Sequence, residues 1–121
     1  MTGKIITDAG LNELAKLLAG QGTAFAYIAL GTGTTDPTTS DTALEAEVIR
    51  KPVSKVTING SEVEFETVIN PGDIVDKRIT EIGLFNAETG GVMYYREVRN
   101  ALYFDATVGA VIKIRCSFSR S

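Results

Sequence analysis

The sequence predicts an α+β domain, with one N-terminal helix packed on a mostly antiparallel β-sheet or β-sandwich of about six or seven strands. Three observations lead there. Only one long stretch, Ala9 to Ala19, carries apolar residues at helical spacing. Beyond it, short runs of β-branched and aromatic residues alternate with links rich in Gly, Pro, Asn and Thr, the rhythm of strands and turns. Two of those runs, 24–30 and 78–85, are apolar on both alternating faces, as strands covered on both sides are. With 121 residues, no internal repeat and no low-complexity tract, the chain reads as one structural domain, 1–121, around one modest core.

Composition removes several function classes. A net charge of −3 argues against non-specific nucleic-acid binding as the main task. No apolar run approaches the roughly 18 residues needed to span a bilayer, and no export signal opens the chain. The expectation is a protein made in a cytoplasm, with neither nucleic acid nor membrane as partner. A lone cysteine, Cys116, excludes an internal disulfide and a Cys-based metal cluster. Histidine, the usual general base and commonest metal ligand, is absent from the sequence. No catalytic residue, cofactor or metal site is therefore expected.

Taken in order, Thr7-Asp8 can cap the helix and Gly20 can end it in the left-handed conformation. Leu11, Leu14, Ala15 and Leu18 form its apolar stripe, with Asn12, Glu13 and Lys16 off it. That stripe should pack on the domain's own sheet; docking on a neighbouring subunit is the alternative. In the strand 24–30, Phe25, Tyr27 and Ala29 share one face and Ala26, Ile28 and Leu30 the other. Gly31 to Ser40 lacks both the Gly-Lys-Ser/Thr ending of a phosphate loop and the third glycine of a dinucleotide fingerprint. It reads as an exposed loop, free to touch a partner. Asp41 can cap one short helical turn over Thr42 to Ala46.

The segment Val48 to Ile58 then meets Asn59-Gly60, a strong signal for a two-residue type I′ hairpin. Such a turn sets Ile58 opposite Ser61, Val56 opposite Val63 and Lys55 opposite Glu64. Val63 and Phe65 face inward, and Glu62, Glu64 and Glu66 form an acidic row on a solvated face. Pro52 cannot donate to a ladder, so it marks an edge or an irregularity. Asp73 and Asp76, after Pro71-Gly72, read as turn residues rather than metal ligands. The last strand, 111–118, sends Ile112, Ile114, Cys116 and Phe118 inward and Lys113, Arg115 and Ser117 outward.

Between these lies the run Arg78 to Phe85, which the turn Asn86 to Gly91 joins to a second strand, Val92 to Val98, as a hairpin at the centre of the fold. Ile79 and Phe85 point one way, Ile82 and Leu84 the other, and Gly83 leaves room for a ring or a backbone. In the second strand Met93, Tyr95 and Glu97 share a face opposite Val92, Tyr94, Arg96 and Val98. Tyr103-Phe104, after Asn100, reads as a brief return strand.

The string ITEIGLFNAETGG at 79–91 resembles the EIGLF-plus-turn signature of the phage tail-collar fibre family. TDAGLNELAKLLA at 7–19, FAYIALGTGT at 25–34 and EAEVIRKPV at 45–53 match further pieces in the family's order, over most of the chain. The resemblance implies a non-enzymatic virion structural protein that anchors a fibre or appendage to the phage particle. It would be assembled in the host cytoplasm, with tail or baseplate proteins as partners. A capsid-associated decoration or head-fibre-type protein is one alternative, and a small enzyme with a site invisible in sequence is another. Family members form trimeric fibres, so a homo-oligomer is implied, a trimer first and a hexamer around a tail axis second.

Tyr94, Tyr95, Arg96, Arg99, Tyr103 and Phe104 gather aromatic and guanidinium groups into a short span. Tyr and Arg are enriched at protein–protein interfaces, which makes these six the candidate subunit-interface residues. Filling the core is the competing use, and stacking on single-stranded nucleic acid lacks the basic groove it needs.

Overall fold

The structure, a computed structural model, describes residues 3–120 of the chain. Among them, one helix and eight strands follow in the order β1 (Gly3–Ile6), α1 (Asp8–Leu18), β2 (Tyr27–Gly31), β3 (Glu47–Pro52), β4 (Lys55–Asn59), β5 (Glu62–Ile69), β6 (Lys77–Phe85), β7 (Met93–Phe104) and β8 (Ala110–Ser117). Two antiparallel sheets result, one ordered β1-β7-β6-β2-β3 and the other β4-β5-β8. The α+β expectation holds, and β6 is the middle strand of the larger sheet, flanked by β2 and β7. Three details differ from expectation. β1 is an additional edge strand on β7. The segment 48–58 divides at Pro52, where the chain leaves one sheet for the other, held by Val53 N–H on Ala26 O and Ser54 N–H on Glu66 O. Tyr103 and Phe104 continue β7 rather than opening a new strand.

Of the two candidate caps Thr7 is the one used, its hydroxyl oxygen accepting from Gly10 N–H at 2.9 Å. The same hydroxyl donates to the Met93 carbonyl, so the cap also ties the helix to β7. The buried face of α1 is not the predicted leucine stripe. Gly10, Glu13, Leu14 and Leu17 turn inward, while Leu11, Ala15 and Leu18 are exposed, Leu18 to 91%. Contact explains the choice: a Cβ on Gly10 would lie 2.5 Å from Tyr94 Cα, so only glycine lets the helix sit this close to β7. The carboxylate of Glu13 is occupied too, accepting from Thr23 N–H at 2.7 Å. Hydrophobicity alone would have selected the neighbouring face.

The main core lies between the sheets, where Ile28, Leu30, Ile82 and Leu84 meet Ile69, Ile112, Ile114 and Cys116. Cys116 is buried there, and burial pushes its thiol pKa up, as befits a small apolar filler. Phe118, expected inward, lies past the end of β8 and is exposed. A smaller cluster of Ala29, Leu44, Phe85 and Met93 covers the other face of the larger sheet. Bulges redistribute two side chains. Pairing of β6 with β7 shifts between Ile79 and Glu81, so Ile79 joins Ile82 and Leu84 in the main core rather than Phe85. A second shift between Leu84 and Phe85 puts Met93 with Phe85, away from Tyr95.

The β4–β5 hairpin forms, but two residues out of the expected register. Asn59 pairs with Glu62, Ile58 with Val63, Val56 with Phe65 and Lys55 with Glu66. The turn residues are thus Gly60-Ser61. Gly60 has φ +63, whereas Ser61 is not among the residues with positive φ, the pattern of a II′ turn with glycine first rather than I′. A shift of two preserves the faces, so Val63 and Phe65 still pack on the core.

Candidate interaction surface

The outer face of the larger sheet is organised by Glu81, the acid of the EIGLF string. It is fully buried on β6, beneath the loop that joins β2 to β3. One carboxylate oxygen accepts from Glu45 N–H (2.9 Å) and Arg96 Nε (3.1 Å), the other from Gly33 N–H (2.8 Å) and Ala46 N–H (2.7 Å). Arg96, diagonal to it on β7 and opposite Gly83, reaches on to Thr35 O and Asp41 Oδ2, each at 3.1 Å. Thr80 adds a bond to Gly33 O at 2.7 Å. A Cβ on Gly33 would stand 2.5 Å from a Glu81 oxygen, so the glycine serves close approach to this carboxylate.

The loop's own acids finish the layer. Glu45 Oε1 accepts from Thr34 N–H (2.8 Å) and Thr35 N–H (3.1 Å), and these bonds hold its carboxyl below the usual range. At Asp41 burial works to raise the pKa, but the Thr38 N–H and hydroxyl, with Arg96, outweigh it and lower it. The N–H groups of Gly33, Thr34, Thr35, Thr38, Glu45 and Ala46 in this glycine-containing loop are therefore filled by internal carboxylates. The helical turn expected over Thr42 to Ala46 is absent, because Glu81 takes the N–H groups of Glu45 and Ala46. Leu44 drops from the loop onto Phe85 and Met93. Nearby, Arg50 lies 3.7 Å over the Phe85 ring and donates to the Ala87 and Gly90 carbonyls, tying down the β6–β7 turn.

The six candidate interface residues do not form one patch. Tyr94, Arg96 and Phe104 are buried within the monomer, Arg96 to 99% by the bonds above. The Tyr94 ring packs on Phe25 at 5.1 Å, and its buried hydroxyl has no partner among the described residues. Burial, then the nearby Cys116, raise its pKa. Tyr95 is half-buried, and its hydroxyl donates to Glu97 at 2.7 Å. Burial and that carboxylate push its pKa well up. Arg99 is half-buried, and Tyr103 is 49% exposed, donating to Asp76 at 3.0 Å beneath the Arg78 guanidinium.

Two features were not legible as sites. Glu81 looked like one acid in an apolar strand; only its central position makes it the organiser. The leucines that α1 leaves outside adjoin an apolar groove lined by Leu14, Leu17, Val56, Val63 and Phe118. Ile58, at the tip of β4, extends this surface and is exposed. Monomeric domains seldom expose large contiguous apolar surface unless it is used for contact.

Fold and surface together define a small two-sheet module whose buried charges fasten its own loops and whose apolar residues remain partly uncovered. The chain belongs to the phage tail-collar fibre family: the model for the N-terminal part of the phage tail-collar fibre protein matches residues 1–99. It is accordingly a structural component of a phage tail. β8 and the end of β7 lie beyond the matched stretch. Among curated proteins, none matches the chain.

Proposed function

We propose that this domain anchors a fibre or appendage to the phage particle by subunit contacts, among copies of itself and with other tail or baseplate proteins, and that it turns over no substrate. The observation that carries the reading is the uncovered apolar surface around Leu11, Leu18 and Phe118, in a chain that belongs to a tail fibre family. A helix that leaves Leu18 in water is best explained by a neighbour that covers it. Tyr103 and Arg99 are the members of the six-residue set that offer most to such a neighbour, Tyr103 as an aromatic already oriented by Asp76. A homotrimer is the first arrangement, a hexamer the second.

Sedimentation velocity on the parent, Leu18→Glu and Tyr103→Ala tests this. The parent should run as a trimer, and each variant should dissociate at concentrations where the parent does not, with unchanged circular dichroism. A parent that stays monomeric at high concentration removes contact between copies from the proposal. Variants that associate like the parent move the contact off this surface.

A further inference from the structure

A sandwich has sheet edges, and natural proteins guard them because unpaired backbone groups recruit other strands. Among the described residues, three of the four edges are guarded. β1 is four residues long, β3 runs into Pro52 and shifts register against β2 at Leu30/Gly31, and β4 spans five residues between a corner and a turn. β8 is different. Its eight residues pair with β5 in unbroken register, from Ser117 opposite Glu62 to Ala110 opposite Ile69. It holds no proline, no bulge and no inward charge; its inward residues are Ile112, Ile114 and Cys116.

The hydrogen-bond phase follows from one contact. Phe118 N–H donates to Ser61 O at 3.0 Å, which continues the same register as a bonded pair. Bonded and non-bonded pairs alternate in an antiparallel ladder, so Cys116, Ile114 and Ile112 exchange bonds with β5. Val111, Lys113, Arg115 and Ser117 then turn their N–H and C=O groups to the open side. Side chains on the solvent face form a ladder of alternating sign across the strands. Lys55 stands beside Glu66, which stands beside Lys113, and Glu64 stands beside Arg115. Arg115 contacts Glu64 at 2.9 Å and Glu62 at 3.4 Å, and Lys113 contacts Glu66 at 3.7 Å. The next strand outward is favoured with acids opposite Lys113 and Arg115 and disfavoured with bases there. Another β8 would set Lys113 and Arg115 against their own kind, and β4 would bring Lys55, so neither of these two edges fits well. Below the edge a cleft opens between β8 and β1; Ile5, Ile6, Tyr95 and Cys116 give it apolar walls, and Lys4, Arg115 and Ser117 line it as well.

We infer that the outer edge of β8 accepts an extended strand from a partner protein, one that alternates acidic with apolar residues. The acids continue the charge ladder and the apolar residues enter the cleft between β8 and β1. This holds whatever the domain anchors, since it rests on the edge alone.

Amide hydrogen exchange of the full chain, followed by NMR, tests it with two capped seven-residue peptides, one alternating valine with glutamate and the other valine with lysine. In the free protein Ile112 and Ile114 should exchange slowly and Val111, Lys113 and Arg115 fast. The glutamate peptide should slow the latter three at least about tenfold and bind about tenfold more tightly than the lysine peptide. Lys113→Pro removes one outward donor and should abolish the slowing while Ile112 and Ile114 stay protected. The inference is overturned if the three amides are already slow in the free protein, if neither peptide slows them, if both peptides do so equally, or if slowing persists in Lys113→Pro with Ile114 still protected. The two peptides decide the matter on the parent even if the proline variant fails to fold.

Discussion

Glu81 lies without solvent contact, yet its acceptor capacity is full: four donors, three backbone and one guanidinium, meet roughly four lone-pair sites. Such a carboxylate is stable in an apolar sheet only while every donor is present. Arg96 is bound by the same logic, with partners on Glu81, Thr35 and Asp41. Arg96→Ala should therefore cost about 3–5 kcal/mol in denaturant unfolding, because it strands a buried carboxylate. A loss below about 1 kcal/mol would mean that water or another side chain replaces it. Any weakening of assembly in that variant would then be secondary to a loosened loop. Gly83, on the same face, faces Leu44 and the Phe85 ring, each 3.0 Å from where a Cβ would be, and Met93 Sδ at 3.3 Å. Gly83→Val should overpack this site and cost about 1–3 kcal/mol. A thermal melt matching the parent's would show that Leu44 and its loop yield freely.

The connection from Gly31 to Ala46 has almost no regular structure, and charge rather than backbone pairing gives it a shape. Asp41 and Glu45 are both held below their usual pKa values. A carboxyl lowered in the fold stays ionised where the unfolded chain would already take up a proton. Its stabilisation is complete above the unfolded value, near 4, and is lost as pH falls through the folded value. Glu64, Asp73 and Asp105 are shifted in the same direction, chiefly by hydrogen bonds from Arg115, Lys51 and Thr107. Stability should thus be flat from about pH 7 to about pH 5 and fall below about pH 4. Asp41→Asn should lower stability at pH 7 and flatten the acid limb of the curve. Urea midpoints for both proteins at pH 7 and pH 3 measure this, and parallel curves would disconnect Asp41 from the transition.

Across the whole molecule, burial is unevenly distributed. β2 and β6 are paired on both sides and covered on both faces, whereas every residue of β4 is exposed. Opening free energies should follow that gradient. Amides of Ile28 to Leu30 and Ile82 to Leu84 should exchange only through global unfolding, and those of β4 far sooner. Equal protection of β4 in the isolated domain would mean that something covers it, and a concentration series would identify a second copy.

Periodicity and turn chemistry, which are local, were enough for the α+β class, a helix cap at Thr7 or Asp8, the central placement of the EIGLF run and the alternation of β8. Register and helix face needed more. Asn59-Gly60 foretold a hairpin, but a slip of two residues keeps every side chain on its face, so hydrophobic pattern cannot choose between the registers. Leu11, Leu14 and Leu18 made the more apolar stripe, yet the close approach of Gly10 to Tyr94 turned the helix so that Leu14 packs inward while Leu11 and Leu18 stay outside. Tyr94, Arg96 and Phe104 had interface composition, and the pairing of β7 with β6 put them inside. The role of Glu81 depends on Gly33, Glu45, Ala46 and Arg96, which lie up to 48 residues away along the chain. A buried charge draws its meaning from partners that only the folded chain assembles.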